Sequence, residues 1–177
     1  NLYPLPLKNG FSGSYVVQNG IITYIAKKVS ENDIILWTFL YQYDCAEKKS
    51  KNISTGLTSG LYTNAVLDDV SENYILVHIY NWEYKLPGSS TFYMYDLQEK
   101  KWIFVKGISA SGIDKYTKSP STRYVTSIEK MRINKGVVEA KIVVNDAGEK
   151  ADPTSLPDYK VISEKWVQID PSTGTLK

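Results

Sequence analysis

The sequence predicts an all-β protein of antiparallel meanders, forming a sandwich or barrel or a partial propeller-like assembly. Three observations carry that reading. Tyrosine, isoleucine, valine and threonine gather in short runs separated by Gly, Asn, Asp, Ser and Pro, the pattern of strands and turns. Helical spacing of apolar residues is scarce. Finally, short motifs recur along the chain, each attached to a strand or a turn.

Taken in order, the expected strands are Ser14–Gln18, Ile21–Lys27, Ile34–Asp44, Ala65–Val70, Tyr74–Trp82, Thr91–Asp96, Lys101–Lys106, Tyr124–Asn134, Val137–Val144, Tyr159–Asp170 and Thr175–Lys177. Ile34–Asp44 is apolar on both faces, with Trp37 and Phe39 on one and Leu36 and Leu40 on the other, so it is expected at the centre with Trp37 in the core. Trp102 is also expected in the core. Val137–Val144 alternates, Val138, Ala140, Ile142 and Val144 against Glu139 and Lys141, as a strand with one wet face does. Tyr124, Val125, Ile128 and Met131 also fit helical spacing, but the segment is read as strand. Asn19-Gly20, Ser30–Asp33, Ser71–Asn73 and Lys135-Gly136 are expected hairpin turns, because Asn and Gly tolerate positive φ. Longer connections are expected at Glu83–Ser90, Gly107–Ser121 and Asn145–Asp158. None of them shifts composition enough to be a linker, so residues 1–177 are read as one all-β domain.

Val29-Ser30-Glu31-Asn32 recurs as Val70-Ser71-Glu72-Asn73. Tyr41-Gln42-Tyr43-Asp44 before Glu47-Lys48-Lys49 recurs as Tyr93-Met94-Tyr95-Asp96 before Glu99-Lys100-Lys101, and Trp166–Asp170 before Pro171–Gly174 is a third, weaker copy. At these residues the chain resembles a β-propeller, whose blades are four-stranded meanders with a Tyr-Asp turn between the third and fourth strands. The resemblance implies a blade at Ala65–Lys106 and degenerate blades at 14–54 and 124–177. Three copies fall short of the roughly 4–8 blades of closed propellers.

Charge and composition exclude several classes. Lys and Arg number 21 and Asp and Glu 19, so the net charge of +2 provides no basic field for nucleic acid or an anionic membrane. No apolar run is long enough to form a membrane span. One cysteine, Cys45, and one histidine, His78, rule out an intramolecular disulfide and a Cys/His zinc site. Phosphate loop, dinucleotide fingerprint and nucleophile elbow are all missing, so neither enzymatic activity nor a metal or organic cofactor is expected.

His78 shares a strand face with Tyr74, Leu76, Tyr80 and Trp82; it suits an acid–base or pH-sensitive role, or a half-buried position within a sheet. Asp68, Asp69, Glu72, Asp96 and Glu99 include the two carboxylates that a glycosidase needs. Asp44 and Asp96 equally suit capping of backbone N–H groups at strand ends. Asp146, Glu149, Asp152 and Asp158 lack the alternate-residue oxygen ligands of a calcium loop.

The aromatics are the strongest lead, because Tyr and Trp anchor protein interfaces and stack on sugars. Trp82, Tyr84, Lys85, Lys115, Tyr116 and Lys118 form the expected binding set, a Tyr/Lys surface on two long loops suited to an acidic protein partner. The leading expectation is a non-catalytic protein-binding domain outside the cytoplasm: an inhibitor, an immunity-type neutraliser or a surface recognition module. Its location, periplasmic, secreted or cell-surface, rests on Asn1 in place of Met, expected of a trimmed chain, and on the Tyr/Thr/Asn-rich composition. The alternatives are a carbohydrate-binding module and a carboxylate-dependent glycoside hydrolase. Self-association is compatible with all three.

Overall fold

The computed structural model describes residues 11–29, 36–59, 63–81, 90–106, 124–146 and 160–177; every regular element among them is a strand. The first sheet contains β1 (Phe11–Gln18), β2 (Ile21–Val29), β3 (Leu36–Asp44) and β4 (Lys49–Asn52) in that order, with β5 (Leu57–Ser59) also beside β3. The second contains β6 (Thr63–Val70), β7 (Tyr74–Asn81), β8 (Thr91–Asp96) and β9 (Lys101–Val105). The third contains β10 (Tyr124–Asn134), β11 (Val137–Asp146), β12 (Lys160–Asp170) and β13 (Thr175–Leu176). All strand pairs are antiparallel. One of the sheets curls into a half-barrel. Strands β4 and β5 were not legible: Lys49-Ser50-Lys51-Asn52 is a polar edge strand without apolar alternation.

The second sheet is the middle layer, and β7 shows why. Its Ile75, Val77 and Ile79 enter a core with Ile25 and Leu40 of the first sheet, while Leu76 enters a second core with Ile128, Met131, Val138, Ala140 and Ile142 of the third. A strand buried on both faces must be apolar at successive positions, and Ile75-Leu76-Val77 is. Each such side chain contributes roughly 1.5–3 kcal/mol when fully buried. β3 does lie inside its sheet, but that sheet is a flanking layer, so Trp37 is only half-buried. Trp102 is half-buried too, and its indole N–H donates to the Thr55 carbonyl at 2.8 Å.

The first strands of the three units lie side by side and run the same way. The Leu67 N–H donates to Ser14 Oγ at 2.8 Å and Gln18 Nε2 to the Val70 carbonyl at 2.9 Å, so β1 and β6 advance together. Asp68 and Asp69 likewise meet Met131 and Ile133 of β10. With that orientation repeated, the described hairpin turns all fall at one end of the molecule.

Those turns repeat in detail. Asp44 Oδ1 accepts the N–H groups of Ala46 and Glu47, Asp96 Oδ1 those of Gln98 and Glu99, and Asp170 Oδ1 that of Ser172. Four residues after each Asp comes a residue of positive φ: Lys48 at 54°, Lys100 at 52° and Gly174 at 70°. The residue after Asp also ties the turn to its neighbour, Cys45 N–H donating to the Gly20 carbonyl and Leu97 N–H to that of Asn73. In the third copy Pro171 has no N–H to donate.

The far face of the third sheet is charged. Lys141 bridges Glu129 at 2.8 Å and Glu164 at 2.7 Å, and Arg132 pairs with Glu139 while lying 3.7 Å over the Trp166 ring. Such a network suits a face open to water.

Candidate functional site

Among the described residues, two places between the sheets are candidates for a site. The first is the seam between β6 and β10. The β6 register shifts between Leu67 and Asp69, and this bulge lets two consecutive carboxylates reach β10. Asp68 Oδ2 accepts the Met131 N–H at 3.0 Å and Asp69 Oδ2 the Ile133 N–H at 2.7 Å, alternate donors on the edge of the third sheet. Asp69 Oδ1 accepts the Val70 N–H. Asp68 Oδ1 lies 2.7 Å from His78 Nδ1, with the carboxylate oxygen as acceptor and the ring N–H as donor. The His78 ring is tilted against Tyr80 and Phe92, with centroids 5.7 and 5.6 Å away.

This arrangement decides what the acids can do. Every oxygen of the Asp68-Asp69 pair already has a partner within the fold, and Asp96 is held as a turn cap. His78 takes the half-buried position within a sheet, and among the described residues no hydroxyl is hydrogen-bonded to it. Nor, among the described residues, does any group of three His, Cys, Asp or Glu come together to hold a metal ion.

The second place is a groove between the first and second sheets, at the hairpin end. It consists of two adjoining clefts of about 480 and 380 Å³ that share Gln42 and Leu97. Thr23, Gln42 and Lys51 are register partners across β2, β3 and β4, so they line one wall in a row. Lys51 and Lys100 stand at one end of the groove and Glu72 at the other. Tyr95 lies beneath the lysine end, buried, its hydroxyl donating to the Ile53 carbonyl at 2.6 Å; burial and then the charge of Asp96 push its phenol pKa up. Asn52 and Ser54 are engaged internally, Asn52 Oδ1 accepting the Ser54 N–H and Ser54 Oγ the Leu40 N–H. Among the described residues the side chains of Gln42, Lys51, Lys100 and Glu72 have no such partner.

The six residues expected to bind a partner, Trp82, Tyr84, Lys85, Lys115, Tyr116 and Lys118, lie outside the described residues. The strand ends that flank them, Asn81, Thr91, Val105 and Tyr124, are at the end of the molecule away from the hairpin turns and the groove. Sequence reasoning missed the groove. Of its lysines, Lys51 belongs to no repeated motif, and Lys48, the counterpart of Lys100 in the Asp turns, does not line the groove, so that repeat carried no signal for it.

Comparisons with known proteins find no matching family model, no matching curated protein and no matching solved structure. Among the described residues no helix is long and apolar enough to cross a membrane.

Proposed function

We propose that the chain is a non-catalytic protein-binding domain acting outside the cytoplasm, built from three blade-like units in a propeller-like stack. Face-to-face meanders whose first strands run side by side in one direction are what adjacent propeller blades present, and this supports the blade reading. Placement outside the cytoplasm rests on the Tyr/Thr/Asn-rich β composition.

One observation carries the functional reading. Of the five acids weighed for a hydrolase, Asp68, Asp69 and Asp96 are engaged by backbone N–H groups and His78, while Glu72 lines the groove with Gln42, Lys51 and Lys100, all four without a side-chain partner among the described residues. A glycosidase needs two carboxylates facing one substrate, and Glu72 is the one acid in the groove's lining among the described residues. A recognition surface needs free donors and acceptors on a rigid frame. The groove also lacks what sugar recognition uses: Tyr95, its one aromatic lining residue among those described, is 1% exposed and offers no ring face for stacking.

The test is size-exclusion chromatography of the purified chain with the extracytoplasmic protein fraction of its source, run beside a glycan array and a panel of chromogenic glycosides. A stoichiometric complex with one protein, surviving dilution, is the expected result. Turnover of a glycoside or saturable glycan binding overturns the reading.

A further inference from the structure

Resting on that reading, we infer that the groove between the first and second sheets takes an extended segment of the partner protein, with acidic residues seated at the Lys51–Lys100 end. The groove is polarised: Lys51 and Lys100 at one end, the Gln42 amide at the shared waist, Glu72 at the other end. An extended peptide fits that order. Its carboxylates meet the ammonium groups, and its backbone N–H and C=O groups meet an amide that both donates and accepts. Charged groups at such a rim steer encounter and fix the direction of the bound chain.

Lys100 adopts a φ of 52°, in the left-handed region, as Lys48 does at the equivalent place of the first turn, while the third turn has Gly174 there. The turn therefore forms with either lysine or glycine at this position, and glycine suits the φ better than a residue with a Cβ.

The same feature gives a clean test. Lys100→Gly suits the φ and removes the charge, so the double variant Lys51→Ser with Lys100→Gly retains its melting temperature within a few degrees. Random eight-residue peptides displayed on phage are selected in parallel on the wild-type protein and on this variant. Peptides with Asp or Glu clustered towards one end are expected from the wild type, with about tenfold or weaker binding of the same peptides to the variant, as loss of a charged hydrogen bond implies. Gln42→Ala weakens the selected peptides without changing their acidic preference. Peptides lacking acids, acidic peptides held equally by the variant, or no enrichment at all overturn the assignment of the groove. A protein complex that forms in size-exclusion chromatography and persists with the double variant leaves the protein-binding reading standing while removing this one. Absence of any such complex removes both.

Discussion

The Asp68 carboxylate accepts the backbone N–H of Met131, 63 positions further along the chain, at 3.0 Å, and so joins the first strand of the second sheet to the first strand of the third. Its other oxygen holds His78, leaving the side chain only 7% exposed. Asp68→Ala leaves the Met131 N–H and His78 Nδ1–H without acceptors inside the seam. A loss of about 2–4 kcal/mol is expected in urea melts, since each stranded buried donor costs on the order of 1–3 kcal/mol. Asp68→Asn retains one acceptor but sets an amide N–H against the other donor, so it should lose at least half as much.

Successive residues of β7 report on opposite interfaces. Ile75→Ala and Leu76→Ala should each cost about 2–5 kcal/mol, as core truncations do. Their hydrogen-exchange signatures should differ. Ile75→Ala is expected to loosen amides of β2 and β3, and Leu76→Ala those of β10 and β11. Identical exchange patterns would show that the two cores act as one.

Two glycines of positive φ separate backbone strain from steric clash. A Cβ at Gly20 meets nothing within 4 Å, so Gly20→Ala should cost only the left-handed penalty of about 1–2 kcal/mol. A Cβ at Gly174 falls 2.1 Å from the Phe104 carbonyl oxygen, against which the third turn is seated. Gly174→Ala must displace that turn, and thermal melts should show a clearly larger loss than for Gly20→Ala.

The Asp170 carboxyl titrates below its ordinary value of 3.8, because the Ser172 hydroxyl and backbone N–H favour the ionised form, with Lys177 adding to them. A depressed folded pKa means that the turn's contribution to stability is present above pH 3.8 and is lost as pH falls through the folded value. Ser172→Ala removes the hydroxyl donor. Carbon-detected NMR titration should then find the Asp170 carboxyl closer to its ordinary value, with the acid limb of the stability curve shifted to higher pH.

Local chemistry determined much of this fold in advance. Period-two runs, Asn19-Gly20 and Lys135-Gly136 at positive φ, and Asp44, Asp96 and Asp170 each capping a turn are all decided by residues within a few positions of one another. The stacking order of the sheets is different in kind. Nothing near Trp37 in the chain says that its sheet flanks the stack instead of centring it, and so Trp37 is half-buried where a core position was expected. Asp68 and Asp69 are neighbours in the chain, yet only the bulge in β6 turns both towards β10. Gln42, Lys51, Lys100 and Glu72 come from two sheets, and no spacing within the chain marks them as one groove. Strand and turn preferences act over a few residues, whereas a seam or a groove exists only once distant surfaces have packed together.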